Sequence, residues 1–365
     1  MVHSNDPAVP HAAGSGQRAA DGDGRAGRAQ RAAHERRPPN AVRCSLCHRP
    51  AVTFIRYSGA HLCRDHFLQF VKRKVTREVR RQVRLPERAT IAVAVSGGKD
   101  SVAALRILHD IFGPRRGTRL VAITVDEGIR GYRPPSLRTV AQNCKQIGVA
   151  HHIVSFKDAF GITMDSTKAR WGQSTPCTYC GVLRRHSLNR KARELGADVL
   201  ATGLNLDDTA QSILMNICRG DVERLARLGP HEKVQEGLIP RIQPLRQVTD
   251  KEAFLYVTLL GYPVHHSVCP YAGGAMRNRF REVVLELERT SPGTRFCILN
   301  SHDAIQPAIL EKYPPAKLAV CANCGEPSID RLCEACRLVL SLKKGQGARG
   351  TGNGTTTVVT LPRAP

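Results

Sequence analysis

IAVAVSGGKDSVAALRILHDIF, residues Ile91 to Phe112, holds the pattern that decides the fold. A short apolar run rich in valine and isoleucine reads as a buried strand, and it ends at once in Ser96-Gly97-Gly98-Lys99-Asp100-Ser101. Apolar residues at helical spacing follow. The glycine pair lets backbone N–H groups approach a bound anion, and the next helix turns its positive N-terminal end toward the same point. Lys99, Ser96 and Ser101 add donors, so a phosphate is the expected occupant. Turn chemistry alone would need only the glycines, not the whole SGGKDS string at a strand-to-helix junction. The loop is not a Walker A loop, because GxxxxGK(S/T) is absent.

Outward from this unit the same alternation repeats. Strand LVAITVD (120–126), helix SLRTVAQNCKQIG (136–148) and strand HHIVSF (151–156) come first. Helix LRRHSLNRKARELG (183–196), strand ADVLATG (197–203) and helix DDTAQSILMNICRG (207–220) come later. Short strands alternating with helices predict an α/β fold with a doubly wound, mostly parallel sheet covered on both faces. Ligands then sit beyond the C-terminal ends of the strands.

The flanks differ. Residues 1–40 are Ala, Gly, Arg, Asp and Pro without apolar periodicity, and 341–365 have the same character; both read as disordered tails. Between them the expected order is a zinc knuckle at 41–68, a basic helix or linker at 69–88, a nucleotide-binding catalytic domain at 89–315 and a second zinc module at 316–340. Asp65 to Glu87 spaces apolar residues for a basic amphipathic helix that ends near Pro86.

The 365 residues include 55 Lys plus Arg against 31 Asp plus Glu, a formal charge of +24, and 41% are hydrophobic. That length and hydrophobic share suit about two domains with a substantial core and exclude wholesale disorder. The charge favours a polyanionic partner, because phosphates neutralised by cations release counterions. Lys72, Arg73, Lys74, Arg80, Arg81 and Arg84 are candidate phosphate contacts. No membrane span and no secretory signal are visible, so the expected location is the cytoplasm and no membrane partner is expected.

In a reducing compartment, regularly spaced cysteines suggest metal sites. Cys44-x2-Cys47 is followed, sixteen residues beyond Cys47, by Cys63-x2-His66. Cys321-x2-Cys324 and Cys333-x2-Cys336 form an all-cysteine set, with Gly325 and Pro327 between the pairs. Each is a closed tetrahedral set suited to a structural Zn2+. Cys177-x2-Cys180 has no second nearby pair and by itself reads as a redox or inert pair. Cys144, Cys218 and Cys297 lie in periodic apolar contexts and read as small core residues.

SGGKDS resembles the PP-loop of the adenine nucleotide alpha hydrolase superfamily. PCTYCG (176–181), GLNLDDTAQ (203–211) and Cys269-Pro270-Tyr271 resemble the signature of tRNA 2-thiouridine synthetases of the TtcA/TtuA type. The likeness spans roughly Cys44 to Cys336. It implies a PP-loop ATPase domain flanked by zinc modules, and an ATP-dependent transferase that adenylates a uridine C2 carbonyl oxygen in tRNA and replaces it with sulfur. Cys177, Cys180 and Cys269 would then hold a 4Fe-4S cluster with one open iron, through which sulfur is delivered.

For ATP, the PP-loop residues Ser96, Gly97, Gly98, Lys99, Asp100 and Ser101 would hold the phosphates, Ala94 and Thr124 to Val125 the adenine, and Gly203 would line the nucleotide. Catalysis would fall to Lys99, Asp208 and Arg184. Asp100 or Asp208 would ligate Mg2+, or Asp208 would act as general base; Asp207 and Asp208 also suit a plain helix N-terminus. The resemblance further implies a ubiquitin-like thiocarboxylated sulfur carrier and a homodimer, and leaves open the anticodon wobble or T-loop uridine. Leu204 stands where relatives carry His in GHNxDD, which gives footing to an alternative: a nucleic-acid-binding zinc protein with an inactive nucleotide domain. Another alternative is a different PP-loop tRNA-modifying ligase, of the lysidine-forming or amidotransferase type.

Overall fold

The computed structural model describes residues 42–171, 175–231, 234–273 and 276–344. A hairpin of β1 (Thr53–Ile55) and β2 (Ala60–Leu62) precedes the helix α1 (Arg64–Gln82). Then come β3 (Ala89–Ala94), α2 (Lys99–Phe112), β4 (Thr118–Asp126), α3 (Arg133–Ile147), β5 (Ala150–Ser155), and two short helices, α4 (Phe156–Phe160) and α5 (Met164–Thr167). The second half holds α6 (Pro176–Glu194), β6 (Val199–Thr202), α7 (Leu206–Cys218), α8 (Val222–Ala226), β7 (Arg241–Ile242) and α9 (Asp250–Leu259). The chain closes with α10 (Met276–Thr290), α11 (Thr294–Lys312), the small hairpin β8 (Ala319–Val320) and β9 (Pro327–Ser328), and α12 (Glu334–Lys344).

The central sheet has the order β5-β4-β3-β6-β7, and every neighbouring pair is parallel. Strand order reverses between β3 and β6, so the crevice for a ligand opens beyond the C-terminal ends of those two strands. This is the doubly wound sheet the alternation predicts. Successive side chains of a strand point to opposite faces. Ile91 and Val93 accordingly enter one core with α1, α2 and α9, and Ala92 enters another with α6 and α12.

The two cysteine-rich modules divide between those cores. Cys44 and Cys63 belong to the first, while Cys321, Cys324, Cys333 and Cys336 belong to the second. They therefore brace opposite faces of the same sheet.

Several expectations need correction. Lys74 is not an exposed phosphate contact: its Nζ lies 2.9 Å from a Glu252 carboxylate, with only 14% of its side chain exposed. The rings of Tyr57, Phe70 and Phe296 surround it at 5.1, 5.0 and 5.1 Å. The spacing explains this, because Lys74 stands three residues after buried Val71 and four before buried Glu78, on the inward face of α1. Cys218 and Cys297 are exposed, and only Cys144 is a core residue. Each exposed cysteine lies two residues from a buried helix position (Asn216; Arg295 and Leu299), about 200° around the helix from the inward face. At the C-terminus α12 runs on to Lys344 with Leu342 buried, so ordered structure extends past residue 341. The tail at 1–40 and the chain beyond 344 lie outside the described residues. Among the described residues, no helix is long and apolar enough to cross a membrane.

Candidate active site and metal centres

The loop after β3 is tied to itself and to its neighbours. Ser101 Oγ donates to the Gly98 carbonyl (2.9 Å) and accepts from the Ser96 N–H (3.1 Å). Gly97 has φ +89, and a Cβ there would come within 2.8 Å of the Ser136 carbonyl. Only glycine suits that position. Gly98 is the N-cap of α2, so the loop presents its backbone to the positive end of that helix, as an anion site requires.

The loop after β6 lies against this one. A Cβ on Gly203 would meet the Ser101 backbone N and Cα at 2.9 Å, so the glycine permits the two loops to touch. Asn205 then caps α7 in a reciprocal box with Asp208. Its Nδ2 also donates to Asp100 Oδ1 (3.0 Å). Lys99 Nζ sits between Asp100 (2.7 Å) and Asp250 (2.6 Å). Lys99, Asp100, Asn205, Asp208 and Asp250 thus converge at the sheet's switch point.

Asp208 is the unusual carboxylate of the group. Burial, and then the negative charge of Asp100, push its pKa up to about 6, while Arg277 at 3.7 Å opposes the rise. Asp207 faces elsewhere: it pairs with Arg295 (3.1 Å) and accepts from the Asp250 N–H (2.8 Å), holding α7, α9 and α11 together. Leu204 is exposed.

Cys177 is exposed, Cys180 is buried and Cys269 is half-buried beside the same core. One turn beyond Cys180, an Arg184 Nη lies 3.1 Å from its Sγ, and Arg184 Nε lies 3.2 Å from a Glu127 carboxylate. Burial raises the Cys180 pKa, and the Arg184 cation works against it. The second oxygen of Glu127 is 2.6 Å from Arg133 Nε. Arg133 in turn donates to the Ser96 carbonyl (3.4 Å) and to the Val125 carbonyl. A continuous polar chain therefore runs from Cys180 through Arg184, Glu127 and Arg133 to the loop after β3. From the other side, the backbone N–H of His265, four residues before Cys269, donates to the Gly97 carbonyl (2.8 Å).

The three cysteine sets differ in spacing. Zn–S bonds of about 2.3 Å in a tetrahedron place neighbouring sulfurs about 3.8 Å apart. Cys47 Sγ and Cys63 Sγ are 3.8 Å apart, as are Cys321 Sγ and Cys336 Sγ, and Cys324 Sγ and Cys333 Sγ are 3.6 Å apart. His66 Nδ1 completes the first set at 3.3 Å from Cys44 Sγ. These quartets are the two groups among the described residues whose ligand atoms all lie within 4.8 Å of one another. Their donors and separations fit a zinc ion in each. Among the described residues, Cys177, Cys180 and Cys269 do not gather so tightly.

Sequence reasoning missed Glu127, Arg133, Asp250 and Arg277. Asp250 had a signal: Thr249-x2-Glu252 is a capping box, and Asp250 is the first residue of its helix. Glu127 follows a strand beyond its C-terminal end, where charged residues are worth attention. Arg277 carries no such mark.

Comparison with known proteins agrees with this layout. Residues 70–287 match the PP-loop domain model, and residues 43–68 match the N-terminal LIM domain of the 2-thiouridine synthetase TtuA. The tRNA 2-thiolation protein NcsA of Haloferax volcanii is 38% identical over 319 residues, which cover 83% of this chain and 99% of that one. The tRNA-5-methyluridine(54) 2-sulfurtransferase of Pyrococcus horikoshii is 34% identical over 300 residues, covering 81% and 93%. Among solved structures, the U34-tRNA thiolase NcsA from Methanococcus maripaludis with its 4Fe-4S cluster superposes with TM-score 0.72 and 31% identity, over 86% of this chain and 99% of that one.

Proposed function

The chain belongs to the PP-loop family of tRNA 2-thiouridine synthetases, and on that premise we propose that it is an ATP-dependent tRNA uridine 2-sulfurtransferase. The observation that carries the reading is the polar chain Cys180–Arg184–Glu127–Arg133–Ser96, which joins a cysteine pair to a phosphate loop at one end of the sheet.

The chemistry requires a poor oxide leaving group to become a good one. The uridine C2 oxygen attacks the α-phosphorus of ATP, pyrophosphate leaves, and sulfur then displaces AMP, which carries the oxygen away. The amides of the loop at 96–101 and the N-terminus of α2 hold the phosphates. Lys99 adds a cation whose position Asp100 and Asp250 set. Asp208, with its raised pKa, either takes the uridine N3 proton during attack or shares Mg2+ with Asp100. Arg184 offsets charge on the transferring phosphoryl group. A 4Fe-4S cluster on Cys177, Cys180 and Cys269 would supply an open iron able to hold sulfide. Zn2+ in the two quartets would be structural.

The exposed basic face of α1 is the proposed phosphate contact for tRNA, with cytoplasmic location, a thiocarboxylated ubiquitin-like sulfur carrier and a homodimer as further parts of the proposal. Cys269→Ala tests the reading. Reconstituted anaerobically, it should lose iron and acid-labile sulfide and fail to thiolate tRNA, while tRNA-dependent release of pyrophosphate from ATP persists. Full thiolation by that variant would sink the cluster assignment.

A further inference from the structure

Each sulfur of the C-terminal quartet lies within hydrogen-bond reach of a nitrogen. The Cys333 N–H donates to Cys321 Sγ (3.2 Å), the Cys336 N–H to Cys333 Sγ (3.5 Å) and Asn323 Nδ2 to Cys336 Sγ (3.2 Å). These donors belong to the module itself. Cys324 Sγ faces a side chain from outside it, His186 Nε2 at 3.5 Å, which projects from α6.

Four thiolates bring more negative charge than one divalent ion cancels, so N–H groups aimed at the sulfurs stabilise the bound form. A hydrogen on Nε2 gives an N–H···S contact, whereas the other tautomer would set a lone pair against the thiolate. His186 Nδ1 is buried and has no partner among the described residues. Phe160 packs edge-on against the imidazole with ring centroids 5.4 Å apart, which fixes its plane.

The helix bearing His186 also bears Cys177, Cys180 and Arg184. Nine residues at about 100° each place His186 roughly half a turn around α6 from Cys177. Asn189 and Arg193 share its side of the helix, and both reach Glu326 of the module, Asn189 at 3.2 Å. One face of α6 thus meets the quartet while the other presents the cysteine pair.

We propose that His186 is a positioning residue for zinc in the Cys321, Cys324, Cys333 and Cys336 quartet, and that through it the metal module fixes the helix carrying Cys177 and Cys180. This rests on the zinc reading of the quartet, and zinc content separates the two ideas. The intact chain should hold two zinc ions and Cys321→Ser one; equal zinc in both overturns the reading and the inference together.

With that difference established, the full-length chain is challenged with a chromogenic chelator. The release phase missing from Cys321→Ser belongs to the quartet. In His186→Ala that phase should quicken about 10- to 100-fold, with the other phase unchanged. His186→Gln, whose amide can still donate, should stay within a few-fold of the unaltered chain, and His186→Phe covers the case in which the alanine variant fails to fold. Equal release rates in the donating and non-donating variants overturn the proposal. Iron and acid-labile sulfide retained after anaerobic reconstitution supply the second readout: Cys321→Ser should retain less than the unaltered chain, and full retention overturns the tie to α6.

Discussion

Replacing Lys72, Arg73, Arg77 and Arg80 together by alanine tests whether α1 meets nucleic acid. All four side chains are exposed on one helix face, and none pairs with a carboxylate among the described residues. From Lys72 to Arg80 the helix rises about 12 Å at ~1.5 Å per residue. A duplex carries about one charge per 1.7 Å of axis, so roughly seven phosphates lie within that span and each cation can find one. Losing four phosphate contacts should reduce the magnitude of the slope of log K against log salt by about 3 to 4. Because the residues are on the surface, folding stability should change by only about 0.5 kcal/mol at each site. The assay is tRNA affinity across ~50 to 200 mM KCl, with urea unfolding alongside. Lys74→Met is the internal contrast: it strands the buried Glu252 carboxylate, so it should cost about 3 kcal/mol of stability and leave the salt slope alone. If the quadruple variant binds tRNA with unchanged affinity and slope, the stripe is merely a solvated helix face.

Other outcomes follow from the ionisable groups. Asp208 titrates near 6, so the rate of thiolation should fall as pH drops through that value; Arg277→Ala removes a cation that lowers it and should move the acid limb to higher pH. A pH profile with an unmoved limb would separate Arg277 from the step Asp208 serves. Asp303 is held well below the usual carboxylate range despite its burial, chiefly by its bonds to Arg246 and His302. A depressed folded-state pKa gives stability that is fully present above the unfolded value of about 3.9 and is lost progressively as pH falls below it toward the lower folded-state pKa. Asp303→Asn should therefore cost about 1 to 3 kcal/mol at pH 7 and clearly less near pH ~2, measured as urea midpoints. An equal loss at both pH values would refute the linkage.

What could be read in advance was whatever chemistry forces into a local string. SGGKDS needs its glycines for backbone approach, the paired C-x2-C and C-x2-H spacings follow from tetrahedral ligation, and the strands from Ile91 onward are apolar because both faces of the sheet are covered. Residues whose role comes from the fold's long-range contacts were hidden. Glu127 and Arg133 matter because α6 brings Arg184 to them from more than fifty residues away. Arg277 reaches Asp208 across α10 and α7. Lys74 looked like its cationic neighbours in composition, and only its spacing from Val71 and Glu78 places it inward. The two-residue strand β7 is too short to leave a periodicity, and pairing with β6 alone defines it.

The central claim meets its most direct test in the nucleosides of a tRNA transcript incubated anaerobically with the reconstituted protein, ATP, Mg2+ and sulfide, then digested and read by mass spectrometry. The account expects a uridine in which sulfur has replaced oxygen, formed only with ATP. Transcript that remains unmodified, or that gains sulfur equally without ATP, would contradict it.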